Sequence, residues 1–379
     1  LLAIENGSQA ALMAPTEILA EQHADTIGGW LQGTGYRLAL LTGRTPAAAR
    51  RELGSALRAG EIDFLIGTHA LIEEPVRFAR LGLVVVDEQH RFGVEHRARL
   101  SKKGARPHVL VLSATPIPRS LAWTIFGDLD VTRLREKPAG RAPVRTFLRE
   151  PERRDAVFRF LAERLAAGER AYVVVPAIEE SDRDVAAVEK TAAEVGRAIP
   201  SARVATLHGR YPPDRRRDAM AAFAKGEANV LVATTVIEVG IDVPEATLMV
   251  VENADRFGLS QLHQLRGRIG RSSRPSWCIL FVSEDAAPEA RDRLAVLERS
   301  SDGFAIAEKD LALRGPGDLL GARQSGLPAF RVADPARDAA ILPEVRDSVR
   351  ARRARGETAA SDLFPAGPAG AAVIQTANP

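Results

Sequence analysis

Ten short runs of β-branched and other apolar residues, falling in two sets of five, limit what this chain can fold into. The first set is AALMA (10–14), YRLALLTG (36–43), IDFLIGTH (62–69), LGLVVVDE (81–88) and HVLVLSAT (108–115). The second is AYVVVPAI (171–178), ARVATLHG (202–209), ANVLVATT (228–235), ATLMVVEN (246–253) and WCILFVS (277–283). Segments with helical character separate them, among them AAARRELGSALRAG (47–60), PERRDAVFRFLAERLAAG (151–168) and DRRRDAMAAFAKG (214–226). Strands that are apolar throughout, rather than on alternate residues, must be covered on both faces. With helices between them, that means parallel α/β sheets. EKPAGRAPV (136–144) is rich in Pro and Gly and reads as the linker between two α/β domains.

The length agrees with this division. At 379 residues the chain exceeds what a single core usually supports. It is 45% apolar and 27% charged, an ordinary globular composition. No apolar run approaches the roughly 20 residues that span a bilayer, and no secretory signal is visible, so no membrane partner is expected. The one cysteine, Cys278, excludes an internal disulfide and fits a reducing compartment. Net charge is +3, and only six of the 52 basic residues are lysine. Arginine suits phosphate recognition, although a compositional bias explains its excess equally well.

In parallel α/β sheets, ligands bind at the carboxyl ends of strands. VVVDEQHRFG (84–93) places Asp87 and Glu88 at such a tip, where one acid can hold Mg²⁺ and the other can orient water. The plainer reading is that Asp87 caps the next helix. LVLSATPIPR (110–119) puts two hydroxyls, Ser113 and Thr115, at the following strand tip, where a turn is the plainer reading. In ATTVIEVGIDVPEA (233–246), Gly240 permits a turn and Asp242 can take a ribose hydroxyl or an arginine; an ordinary loop is the alternative. QLHQLRGRIGRSS (261–273) is the most specific stretch. Its glycines 267 and 270 would weaken a helix by about 1 kcal/mol each, so close backbone approach explains them better. The three arginines they space, Arg266, Arg268 and Arg271, suit a γ-phosphate, against a solvated basic face as the plainer reading. His69 and His90 have no companion cluster at metal-ligand spacing, and the other five histidines read as buried or hydrogen-bonded.

Taken in order, APTEILAEQH (14–23), GTHALI (67–72), DEQH (87–90), SATPIPR (113–119), ATTVIEVGIDVP and QLHQLRGRIGR resemble the motifs of superfamily 2 helicases. DEQHRFGV, TLHGR and DGFAIAEKDLALRGPGDLLGARQSG (302–326) resemble the RecG family within it. The resemblance covers about residues 1 to 350. It implies two RecA-like parallel-sheet domains, followed by a helical hairpin and loop known in that family as the TRG element. The implied activity is ATP-dependent translocation on branched or duplex DNA in recombination and repair, with ATP and Mg²⁺ as cofactors. A monomeric, cytoplasmic, nucleoid-associated bacterial protein is implied as well.

On the matching positions, Asp87 would hold Mg²⁺ through ATP and Glu88 would position the attacking water. Gln264, Arg268 and Arg271 would sense and stabilise the γ-phosphate, and Gly240 and Asp242 would contact nucleotide. Gln89, His90, Ser113 and Thr115 would couple nucleotide to DNA. Pro15, Thr16, Thr68 and His69 would face DNA, with Arg314 and Gln324 in the TRG loop. The expected boundaries are 1–139 and 140–285 for the two domains, 286–335 for the hairpin and loop, and 336–379 for a partly disordered tail.

The family pattern is broken in one respect. No GxxxxGK[ST] phosphate loop occurs in the 379 residues. In RecG-like proteins it lies about one strand and helix before APTE, where this chain has only LLAIENGSQ. The expectation is therefore a motor cut after its phosphate loop and inactive alone. Three other readings remain: a transcription-repair coupling translocase of the Mfd type, an RNA helicase of the same superfamily, and a non-catalytic nucleic-acid-binding remnant.

Overall fold

The computed structural model describes residues 1–88, 92, 94–113, 130–132, 134, 136, 140–177, 182–235, 243–314 and 341–356. The chain divides into two compact units, Leu1–Pro116 with Arg135–Asp310, and Ile117–Leu134 with Leu311–Pro379.

The first unit holds two parallel sheets. Strands β1 (Gln9–Met13), β2 (Leu38–Leu41), β3 (Phe64–Gly67), β4 (Leu81–Val86) and β5 (His108–Val111) form the first, ordered β2-β3-β1-β4-β5. The second contains β6 (Val144–Arg149), β7 (Arg170–Val174), β8 (Val204–Leu207), β9 (Val230–Ala233), β10 (Ala246–Val251) and β11 (Ser276–Phe281). Its order is β6-β11-β10-β7-β9-β8. Helices connect the strands: α1 (Leu2–Glu5), α2 (Glu17–Leu31), α3 (Ala47–Ala59) and α4 (Val94–Ser101) in the first half, then α5 (Arg154–Ala166), α6 (Asp182–Ala198), α7 (Pro213–Lys225) and α8 (Leu259–Arg266). Two more, α9 (Pro288–Arg299) and α10 (Gly303–Arg314), follow β11, and α11 (Leu342–Ala354) lies in the segment expected to be a tail.

The two-sided burial expected from the sequence is present. Strands β1, β9 and β10 are buried along their whole length. In the second sheet, one face packs α7, α8 and α9 through Phe223, Leu262, Leu265 and Leu294, and the other packs α5 and α6 through Leu161, Leu165 and Val195. Strand β5 is the exception, with Leu110 half exposed and Val109 and Leu112 also open. β6 is an eleventh strand not anticipated from the sequence. Its alternating VRTFLR lacks the continuous apolar run of a central strand, because β6 is an edge.

The halves repeat one another closely. Removing β6 leaves the same strand order in both sheets. After β2 the chain reads TGRTP (42–46), and after the equivalent β8 it reads HGRYP (208–212). Pro46 and Pro212 then occupy the N-caps of α3 and α7, both of which end on a left-handed glycine, Gly60 or Gly226. Likewise DEQHRFG (87–93) follows β4 where ENADRFG (252–258) follows β10.

In the second unit, Arg350 on α11 pairs with Asp130 at 3.1 Å.

Candidate functional site

The carboxyl ends of β1, β3, β4 and β5 form one edge of the first sheet. Asp87 follows β4 directly, its amide donating to Met13 O at 2.9 Å to extend the ladder by one residue. Its Oδ1 accepts the Glu88 amide at 2.9 Å, and its Oδ2 lies 2.8 Å from His23 Nε2 on α2. Both oxygens are therefore held before any ligand arrives. The next residue, Glu88, has a left-handed backbone with φ 49°. Such a conformation for a non-glycine residue costs on the order of 1–2 kcal/mol, and it turns the chain sharply off the strand tip. Among the described residues the Asp87 carboxylate is taken by His23 and the Glu88 amide, and it caps no helix.

On the neighbouring strands, Thr16 caps α2, its Oγ1 accepting the Leu19 amide at 3.4 Å. This cap role was not foreseen, and it fixes Pro15 and Thr16 at the sheet edge. Gly67 at the end of β3 is required by packing, since a Cβ there would sit 2.0 Å from Leu41 O. Thr68 follows, 2% exposed, and its Oγ1 has no hydrogen-bond partner among the described residues. His69 is exposed at the start of a 3₁₀ turn (His69–Ile72). Beyond β5, Leu112 still bonds to Val86 O at 2.8 Å, and Ser113 is exposed. The edge thus gathers Pro15, Thr16, Thr68, His69, Asp87, Glu88 and Ser113. Gln89, His90, Thr115, Gly240, Asp242 and Gln324 lie outside the described residues, as does the side chain of Arg314 at the end of α10.

The second sheet carries the arginine segment. Helix α8 ends at Arg266 with Gly267 as its cap. Gly270 takes φ 71°, and a Cβ there would lie 2.5 Å from Val144 Cγ2. The close approach expected of the two glycines is thus seen at Gly270, whereas Gly267 has only its own helix nearby, Gln264 O lying 3.2 Å from a Cβ placed there. Gln264, Arg268 and Arg271 are half-buried, while Arg266 is 5% exposed. The Arg266 guanidinium donates to Leu297 O at 2.7 Å, Ser300 O at 2.9 Å and Thr146 Oγ1 at 3.2 Å, and contacts His263 Nδ1 at 2.8 Å. It satisfies the carbonyls at the C-terminal end of α9 and ties α8 to β6. Arg266 is therefore a structural staple, although its sequence context matches that of its neighbours.

Two residues escaped the sequence reading. His23, grouped there with ordinary buried or bonded histidines, is the partner of Asp87; its place on α2, seven residues past the Thr16 cap, was the available signal. His208, at the tip of β8, is 4% exposed with neither ring nitrogen bonded among the described residues. It lines a small cavity with Asp184, Arg210, Thr234 and Thr235 at the carboxyl edge of the second sheet. Arg44 joins the halves, its Nη2 lying 2.7 Å from Asp214 and its Nε 3.2 Å from Glu17.

A hard oxygen donor at a strand tip, with a second carboxylate next to it, fits the Mg²⁺ and water side of a nucleotide site. Among the described residues no group of three or more metal-ligating side chains exists.

Comparisons with known proteins agree with this geometry. The chain matches the DEAD/DEAH box helicase family over residues 1–122 and the helicase conserved C-terminal domain over 152–273. Residues 300–360 match the C-terminal part of domain 3 of the ATP-dependent DNA helicase RecG. The RecG helicase of Synechocystis sp. is 50% identical over 350 residues, covering 92% of this chain and 42% of that protein. That of Escherichia coli K12 is 47% identical over 356 residues, covering 92% and 51%. The chain spans about half the length of the curated relatives it matches. A solved structure of RecG bound to a three-way DNA junction superposes with a TM-score of 0.72 at 43% identity, covering 89% of this chain and 44% of that one. The helicase MrfA bound to DNA shares the fold alone, at 18% identity and a TM-score of 0.59. The chain belongs to the RecG family.

Proposed function

We propose that this chain is the motor part of an ATP-dependent translocase that remodels branched DNA. The carrying observation is the Asp87–Glu88 pair, held at the tip of β4 with the Asp87 carboxylate anchored by His23 and by the Glu88 amide. Bound ATP with Mg²⁺ would supply the phosphoryl group and the electrophilic activation. Asp87 offers an oxygen to the cation, and Glu88 orients the attacking water and takes its proton. Arg268 and Arg271 neutralise charge developing on the transferred phosphoryl, and Gln264 reads its presence. Gly240 and Asp242 contact the nucleotide from the second domain.

Pro15, Thr16, Thr68 and His69 line the DNA-facing edge, and Gln89, His90, Ser113 and Thr115 link that edge to the nucleotide. Helices α9 and α10 with Arg314 and Gln324 form the TRG element that converts domain closure into movement along duplex. A phosphate loop is needed to complete the site, and the strand leading into it would pair beside β5, where Val109, Leu110 and Leu112 are open. Without that loop the 379 residues do not hydrolyse ATP. The domain limits are those given above, near residues 139 and 285. Among the described residues no helix is long and apolar enough to cross a membrane, and we place the protein in the cytoplasm, acting as a monomer.

The test is ATP hydrolysis by the chain joined to a phosphate-loop-bearing segment, stimulated by a three-way DNA junction, linear duplex or RNA. Junction DNA is expected to stimulate most. Stimulation dominated by RNA would overturn the reading, and a wholly inactive protein with intact motifs would favour a scaffold.

A further inference from the structure

Strand β6 has one face built into a core and one that is not. Val144 and Leu148 pack into the α8–α9 side of the second sheet. By the alternation of a strand, Phe147 and Arg149 face the opposite side. Helix α5 lies there but leaves the sheet edge open, and the result is a groove of about 600 Å³. Phe147, Val157, Phe160 and Trp277 give it an apolar floor, with Arg149 and Arg153 among its walls. It lies on the face opposite α8, away from Gln264, Arg268 and Arg271.

The charges around this floor are lopsided. The groove's one carboxylate, Glu150, is bound by Arg291 at 2.9 Å. Arg153 is exposed, and neither it nor Arg149 has a carboxylate partner among the described residues. Arg149 instead lies over the Phe147 ring at 4.9 Å. Arg164 covers the Trp277 ring at 4.4 Å, and Phe160 meets Trp277 edge-on, centroids 5.4 Å apart. Guanidinium groups therefore occupy ring faces that bases would need for stacking, which argues against a nucleic-acid strand. An aliphatic or aromatic side chain can still enter between the rings, while neighbouring carboxylates meet Arg153 and Arg149, whose guanidinium otherwise donates to Leu148 O at 2.7 Å.

We infer that this groove docks an acidic peptide segment of a partner protein, with a bulky apolar side chain seated against Phe147, Phe160 and Trp277. Such a partner would tether the motor without occupying its nucleotide or DNA edges.

The test uses the whole chain with Trp30→Phe and Trp123→Phe, so that Trp277 alone reports. The probe is a fluorescein-labelled acidic heptapeptide with Leu and Phe at its centre. Saturable anisotropy is expected, with a blue shift of Trp277 emission. Arg153→Glu, an exposed change that spares the core, should weaken binding by about tenfold, as should Phe147→Asp. A peptide with Lys in place of the acids should not bind. Equal binding of that basic peptide, or no loss with Arg153→Glu, would overturn the inference. Displacement of the acidic peptide by oligodeoxythymidylate, with its own shift of Trp277, would assign the groove to nucleic acid instead. A sedimenting dimer broken by Arg153→Glu, without peptide binding, would make it a self-association surface.

Discussion

Glu88 and Asn253 adopt the same left-handed backbone, φ 49° and 47°, each two residues past the end of equivalent strands β4 and β10. The repeat explains the geometry: Asp87-Glu88 and Glu252-Asn253, which open DEQHRFG and ENADRFG, leave their strands through the same left-handed step. Asparagine tolerates that conformation well and glutamate does not. Where only the turn matters, the chain has the suited residue. At the first sheet it keeps a strained carboxylate, as expected when the side chain serves chemistry. Glu88→Asn should therefore raise stability, by about 0.5–1 kcal/mol, while removing the acid proposed to orient the attacking water. Urea denaturation of the chain measures the first effect.

Arginines two residues apart should behave oppositely. Arg266→Met leaves buried carbonyls of Leu297 and Ser300 without a donor and should destabilise the chain by about 2–4 kcal/mol. Arg268→Ala and Arg271→Ala should stay within about 0.5–1 kcal/mol of the parent by the same measurement, since both are half-buried at the surface. Equal losses for all three would remove the distinction between the staple and the two arginines proposed to meet phosphate.

His208 gives the second domain a pH dependence. Burial first, and then nearby Arg215, holds its pKa below the ordinary 6.5, with Glu189 opposing weakly. The folded state thus binds a proton less readily than the unfolded chain. The stabilisation is complete above about pH 6.5 and declines as pH falls through the lowered folded value. His208→Gln should flatten the fall in melting temperature between neutral and mildly acidic pH, read by circular dichroism.

Cys278 should be inert. It is 1% exposed, and burial pushes its thiol up to about 12, against a lowering influence from Arg266. As the single cysteine, it should not react with a disulfide reagent at pH 8 while the chain is folded, and should react once, stoichiometrically, in guanidinium.

Much of this was legible in the residues alone. Ten of the eleven strands are buried or sheet-forming runs that periodicity reveals, and Asp87, Glu88 and Ser113 stand at the tips where the runs end. β6 was missed because an edge strand needs only one apolar face, so VRTFLR carries no continuous signal. The staple role of Arg266 was hidden because its partners are backbone carbonyls 31 and 34 residues away, which no local pattern encodes. His23 was hidden for a related reason: its partner lies 64 residues on, and only the stacking of α2 over the sheet edge brings them together.

Asp87 and Glu88 are proposed as the Mg²⁺ and water side of a nucleotide site. The most direct measurement compares junction-stimulated ATP turnover with nucleotide retention, for Glu88→Gln and parent, in the chain joined to a phosphate-loop-bearing segment. Turnover at least about a hundredfold lower is expected in the variant, with ATP still bound, if the acid acts on water and not on binding. Near-parental turnover by Glu88→Gln would contradict it.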